Sequence, residues 1–183
     1  LQETELINGL RKKNEEAFRW LVEAYRNKVY NTVLNILQDS ADADDSAQEV
    51  FIQVYESISS FKQQSSLSTW IYRIAVRKGL DKLRKRKTRQ RLHNVMPWWM
   101  PDEKKSKENF FHPGIALEHK QKAALLFKAI NALPEKQKVA FTLIKVQGMN
   151  YEEASEIMQQ SIKAIESLIS RAKQNLQKQL QKQ

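Results

Sequence analysis

No cysteine occurs in the 183 residues. That excludes a disulfide framework, a thiolate metal site and a cysteine nucleophile, and it suits a reducing, cytoplasmic setting. Glycine and proline are scarce, four of each. Interiors free of these breakers and rich in Glu, Lys, Gln, Leu and Ala favour helix. Strand-type alternation and hairpin-type turns are missing as well, so the expected fold class is all-α. No apolar run approaches the roughly 20 residues that span a bilayer, and no membrane insertion is expected. The first residues lack a basic-then-apolar signal pattern. With Leu1 first, an initiator Met is expected to have been trimmed or omitted. The three histidines, His93, His112 and His119, form no His-Glu-x-x-His pattern. Without Cys beside them, no catalysis, metal or other cofactor is expected.

What the chain does have is ordinary apolar content, 41%, beside 28% charged residues. That is enough for one core or two modest ones. The net charge of +10 is unevenly placed. Residues 1–60 carry 6 Lys/Arg against 11 Asp/Glu, residues 61–107 carry 14 against 3, and residues 108–183 carry 11 against 7. An acidic front beside a basic middle points to two partners, one basic and one anionic.

The basic middle centres on Leu67–Arg91. Ser66 or Ser68 is placed to cap a helix there. Tyr72, Val76, Leu80 and Leu83 form an apolar stripe, with Arg73, Arg77 and Arg84 on another face. A cationic helix edged by Trp70 and Tyr72 suits a polyanion with stackable bases, while the simpler reading is a solvated helix with a basic end. Upstream, Leu6, Ile7 and Leu10 predict a short helix over 2–13. Phe18, Leu21, Val22, Tyr25, Val29, Val33, Ile36 and Leu37 predict a long one over 15–37. Asp39, Ser40 and Asp42 are all suitable N-caps for a third helix, expected over Ala47–Ile58. Its inward set is Ala47, Val50, Phe51, Val54, Tyr55 and Ile58. Asp44, Asp45, Gln48, Glu49, Ile52 and Gln53 are left on the other side. The acidic cluster lacks the spacing, Gly and terminal Glu of a calcium loop. In the connection Ser59–Ser68, Phe61 is either a core plug or a base-stacking residue, and the core is the reading to expect of it.

Residues 87–117 break the helical rhythm with Pro97, Pro101, Pro113 and Gly114, which reads as a linker. Trp98-Trp99-Met100 and Phe110-Phe111 within it dock either on a domain or on a partner. Beyond it, Leu126, Phe127, Ile130 and Leu133 line a helix ended by Pro134, and Glu135–Val146 forms another that Gly148 stops. Asn150 and Glu153 make a capping box. Gln159-Gln160 turns the chain, and Ser161 caps a last helix with Ile165, Leu168, Ile169, Ala172 and Leu176 inward. Short helix, tight turn and longer helix make a helix-turn-helix pattern, although many bundles contain such a corner. Lys163, Glu166, Ser167, Ser170 and Arg171 are then the outward residues near the leading half.

Four blocks in register extend this reading. They are Asn14-Glu-Glu-Ala-Phe-Arg-Trp-Leu21 with Tyr25; Asp42-Ala-Asp-Asp-Ser-Ala-Gln-Glu-Val-Phe-Ile52; Phe61 through Ser68-Thr-Trp-Ile-Tyr-Arg-Ile-Ala75; and Leu133-Pro-Glu-Lys-Gln137 with Tyr151-Glu-Glu-Ala-Ser-Glu-Ile157 and Ser167-Leu-Ile-Ser-Arg-Ala172. Together they resemble the bacterial extracytoplasmic-function sigma factors of the sigma-70 family, over nearly all the chain except the linker. The resemblance implies two small helical domains, sigma region 2 over 1–90 and sigma region 4 over 118–183, joined by a linker over 91–117. It implies a factor that binds core RNA polymerase and directs promoter recognition, −10 melting and transcription initiation. By that likeness Asp44, Asp45, Gln48, Glu49 and Ile52 dock on the clamp coiled coil of the polymerase largest subunit. Phe61, Lys62, Ser65, Ser66, Trp70, Arg73, Arg77 and Arg84 engage the opened −10 strand. Ser161, Lys163, Glu166, Ser167, Ser170 and Arg171 read the −35 duplex, while the same domain contacts the flap of the second large subunit. An anti-sigma factor is a further implied partner.

Three positions depart from the family pattern. Arg77 stands where many relatives have Asn, Gln63-Gln64 where Gly is common, and Glu166 where relatives often carry a base. Glu166 either accepts from cytosine N4 or pairs with a nearby cation. The competing functional readings are a helix-turn-helix regulator that never engages polymerase and a membrane-surface protein using Lys82–Arg91. The latter stretch lacks an opposed continuous apolar face.

Overall fold

A computed structural model describes residues 2–95 and 117–181, all built from helices and the turns between them. The linker prolines, Trp98-Trp99-Met100 and Phe110-Phe111 lie outside the described residues. Helix α1 spans Glu3–Arg11, α2 Glu15–Leu37, α3 Ser40–Ser57 and α4 Leu67–Val95. After the linker come α5 Leu117–Asn131, α6 Glu135–Phe141, α7 Tyr151–Met158 and α8 Ile162–Leu180.

Side-chain caps set most of these boundaries. Asn14 Oδ1 accepts from Ala17 N–H at 2.9 Å to start α2. Asp39 Oδ1 accepts from Asp42 N–H at 2.9 Å. Helix α3 therefore begins at Ser40, well before the expected Ala47, and Asp42, Asp44 and Asp45 lie on helix rather than loop. Of the two serines able to cap α4, Ser66 does so, its Oγ accepting from Thr69 N–H at 3.0 Å. Lys13 (φ 56°) after α1, Gln38 (φ 57°) after α2 and Gln159 (φ 52°) after α7 all take left-handed backbone. The stop expected at Gly148 is present, with φ 73° and Met149 N–H donating to Leu143 C=O at 3.1 Å. Between Phe141 and that stop, Thr142–Val146 widens into a single π turn.

In the first domain α2 is the spine. Its Leu21, Val29, Val33, Ile36 and Leu37 are buried against Val50 and Val54 of α3 and Ile71 and Ala75 of α4. The approach of α4 is close: a Cβ at Gly79 would lie 3.3 Å from two carbons of Ile36. Helix α4 is buried on a second side as well, through Tyr72 and Val76. The expected single stripe is thus two, because α4 lies between the α2–α3 layer and the second domain. Two residues placed inward by periodicity are exposed, and Phe18, Val22, Tyr25, Leu80, Phe127 and Leu168 are only partly buried. Tyr55 is 38% exposed and Leu126 is 42% exposed. Tyr55 instead packs edge-on against Phe18, centroids 5.1 Å apart, with Lys13 Nζ over its ring at 3.9 Å.

In the second domain Ala129, Ile130, Leu133, Ala172 and Leu176 form a small cluster that ties α5 to α8. Its other buried apolar residues, Val139, Ala140, Leu143, Ile144, Ala154, Ile157, Ile165 and Ile169, are continuous with the first domain's core. Tyr72 marks the junction, its hydroxyl 3.3 Å from Gln147 Oε1. Burial, together with nearby Tyr25 and Glu153, pushes its hydroxyl up to about 12.

Candidate functional site

Helix α3 presents its acids in two directions. Asp42, Asp45 and Glu49 face cations on α4. Lys82 Nζ lies 3.1 Å from Asp42 Oδ1 and 3.5 Å from Asp45 Oδ2. Lys78 Nζ lies 3.2 Å from Glu49 Oε2. Arg86 reaches Asp42 at 3.7 Å and donates to Leu37 C=O at 3.0 Å. Asp44 and Gln48 turn the other way, into a groove of about 800 Å³ between α2 and α3, with Arg26, Tyr30 and Phe51 beside them. Ile52 is 56% exposed, an apolar side chain in a polar neighbourhood. The five α3 residues named from the sequence are therefore surface-accessible but do not form one uniform acidic patch.

The cationic side of α4 is richer than Arg73, Arg77 and Arg84 alone. Arg77, Lys78, Lys82, Lys85, Arg86 and Arg89 line one groove of about 540 Å³, against only Asp42, Glu49 and Asp81 as acids. Spacings of four, three and four along Lys78, Lys82, Lys85 and Arg89 place them on one helical face, and that is the signal sequence reasoning passed over. Arg77 and Arg84 flank Asp81 at 3.9 and 3.6 Å and stay largely exposed. Arg73 does not join them. Its Nη2 donates to Glu156 C=O on α7 at 3.1 Å, and its Nε is buried with no partner. In this arrangement Arg73 serves the contact between domains.

In the connection before α4, Lys62, Gln63, Gln64 and Ser66 are exposed and Ser65 is half-buried. Phe61 is 4% exposed and stacks on Trp70, centroids 4.9 Å apart. Trp70 is half-buried. Of the two roles open to Phe61, the ring occupies the core position here.

On α8, Ile165, Ile169, Ala172 and Leu176 are buried, and Lys163, Glu166, Ser170 and Arg171 are exposed on the opposite side, with Ser167 intermediate. Ser161 Oγ caps the helix by accepting from Ala164 N–H at 3.3 Å. The preceding turn is pinned by Ser155 Oγ donating to Gln160 C=O at 2.6 Å. The capping box of α7 is complete, with Asn150 and Glu153 exchanging bonds of 2.9 and 2.8 Å. A short helix is thereby held at a fixed angle to a longer one whose polar face is free to enter a groove.

The two domains meet at a charged cluster that sequence reasoning did not find. Lys87 Nζ on α4 lies 2.6 Å from Glu135 Oε1 on α6, and this bond lowers the Glu135 carboxyl below its ordinary range. Beside it Lys138 is only 4% exposed, its Nζ bonded to Asn131 Oδ1 at 3.1 Å. Burial, with Lys87 and Arg86 adding repulsion against the opposing pull of Glu135, drops the Lys138 ammonium to about 8. The folded value lies below the free-chain value of 10.5. The cost of charging Lys138 in the fold is therefore fully present below about pH 8 and fades as pH rises toward 10.5. Lys138→Met is expected to raise stability at pH 7, because it removes the cost of keeping a buried ammonium charged. It should also flatten the rise in melting temperature of the parent chain between pH 8 and 10, measured by calorimetry.

Comparison with known proteins bears on this geometry. Residues 21–89 match the family described as Sigma-70 region 2, and residues 123–176 match Sigma-70, region 4. The chain is 30% identical to the RNA polymerase sigma-H factor of Pseudomonas aeruginosa, covering 98% of this chain and 94% of that protein. It is also 30% identical to the ECF RNA polymerase sigma-E factor of Escherichia coli K12, covering 96% and 93%. Among solved structures, CnrH in complex with the cytosolic domain of CnrY superposes with a TM-score of 0.71 at 19% identity, covering 98% of this chain and 97% of that one. The sigma factor RpoE in complex with the anti-sigma factor NepR from Bartonella quintana gives 0.71 at 23% identity, covering 90% and 96%.

Proposed function

From the premise that this chain belongs to the extracytoplasmic-function group of the sigma-70 family, and so directs promoter recognition by RNA polymerase, we propose how its surfaces divide the work. Helix α3, through Asp44, Asp45, Gln48, Glu49 and Ile52, docks on the clamp coiled coil of the largest polymerase subunit. The loop over 61–66, through its exposed residues, together with Trp70 and the cations of α4 holds the opened −10 strand. The polar face of α8 reads the −35 element as duplex, and its domain meets the flap of the second large subunit.

The observation that carries this reading is the construction of α4. One side is buried in the core, while another turns Arg77, Lys78, Lys82, Lys85, Arg86 and Arg89 into one groove. Phosphates bound there supply salt-sensitive, sequence-independent affinity. Melting is favoured because the open strand is bound and the closed duplex is not, so no nucleotide hydrolysis is called for. Arg73 reaches DNA in this scheme once α7 has moved off its guanidinium. The complex of RpoE with the anti-sigma factor NepR supports restraint of this factor by a partner of that kind, and the cytosolic domain bound to CnrH supports a cytoplasmic setting. Run-off transcription with purified core polymerase, followed by start-site mapping, tests the reading. The expected result is start-site selectivity that core enzyme alone lacks. Unchanged start sites would overturn it.

A further inference from the structure

We propose that helix α1 is a splint that sets the shape of the −10 loop, with Glu3 and Arg11 as its positioning residues. The proposal rests on the reading of residues 61–66 as that loop. Arg11 Nη2 donates to the Phe61 carbonyl at 2.7 Å. Glu3 Oε1 accepts from the Leu67 N–H, also at 2.7 Å. These bonds fall on the first residue of the loop and on the residue just past its end. Both involve a charged group, which makes them stronger than neutral hydrogen bonds.

The spacing explains why one helix serves both ends. Eight residues separate Glu3 from Arg11, a rise of roughly 12 Å, so α1 spans the mouth of the loop as a rigid strut. The strut is fixed in turn. Leu6, Ile7 and Leu10 are buried at 2–3% exposure, and a Cβ on Gly9 would come within 2.8 Å of the Ala17 Cβ. Sliding or tilting α1 would therefore open the core. Lys13 adds a third tie by donating to the Tyr55 carbonyl.

The loop itself supplies little rigidity. Lys62, Gln63 and Gln64 are exposed, and Gln63 holds a left-handed φ of 54° that a glycine would adopt without strain. Such a segment keeps one shape only if its ends are held. Helix α1 lies outside residues 21–89, the stretch that matches region 2.

The test uses the full chain with core polymerase on promoters found by start-site mapping. Discrimination at −10 is the ratio of transcripts from an intact element to one with a single base changed; discrimination at −35 is measured likewise. Arg11→Ala and Glu3→Ala should each lower −10 discrimination about tenfold, as misplacement of a reading group does, and leave −35 discrimination and core binding unchanged. Glu3→Gln, which keeps the accepting oxygen, should restore it, and Arg11→Lys should restore it in part. If −10 and −35 discrimination fall together, or the conservative variants fail as badly as alanine, the splint is refuted. Lys62→Ala and Ser65→Ala separate the two levels. If these leave −10 selection intact, the loop assignment itself fails; if they weaken it while Arg11→Ala and Glu3→Ala do not, only the splint fails.

Discussion

Replacing Asp45 and Glu49 together by lysine should abolish polymerase-dependent transcription while leaving duplex −35 binding intact. The two side chains face Lys82 and Lys78 yet remain 70% and 53% exposed. Exposed pairs of this kind contribute about 0–1 kcal/mol each to folding, so the fold should survive their loss. The effect on docking is far larger. Close charge pairs across an interface couple by about 1.5–7 kcal/mol, and reversal adds repulsion from a basic partner as well as removing attraction. Affinity for core enzyme should fall by at least about 100-fold, the equivalent of roughly 3 kcal/mol. Co-sedimentation with core polymerase measures the loss. Binding of a −35 duplex by the same variant, through α8 far along the chain, controls for folding. Full transcription by the double variant would remove these acids from the polymerase contact.

Phe61→Ala should be among the most destabilising single changes in the first domain. The ring is 4% exposed and stacked on Trp70 at 4.9 Å. Truncating a buried Phe costs about 3–5 kcal/mol. For a chain of this size that corresponds to a fall in melting temperature of roughly 6–20 °C. A ring held out for base stacking would be exposed, and its removal would cost folding almost nothing. The melting temperature of Phe61→Ala therefore separates the two roles, and a drop under about 2 °C would sink the core assignment. Trp70, only half-buried, should lose less stability on truncation and more −10 binding.

Local signals carried a good deal of this far. The capping box of Asn150 and Glu153, the stop at Gly148 and the Ser161 cap act within a few residues of chain. Each is present as read. The inner stripe of α8 repeats every three or four positions and, Leu168 apart, is buried accordingly. Helix α3 starts before its apolar periodicity begins because, of the three closely spaced residues able to cap it, Asp39 is the one whose oxygen meets an N–H, and the residues before Ala47 are polar or small. Tyr55 fits the periodicity of a buried face, but at the rim of the core its ring lies against Phe18 and Lys13 instead.

The family pattern, the all-helical class and the division into an acidic front and a basic middle were thus determined by the sequence alone, because composition, periodicity and caps act over short spans of chain. Only the tertiary structure decided who meets whom. It paired Glu49 with Lys78 and Asp45 with Lys82, took Arg73 out of the cationic surface and gave it to Glu156 of α7, and set Arg11 on Phe61 and Glu3 on Leu67. These partners lie 29 to 83 residues apart. Their meeting depends on how helices cross once their apolar faces are packed, which no local spacing encodes.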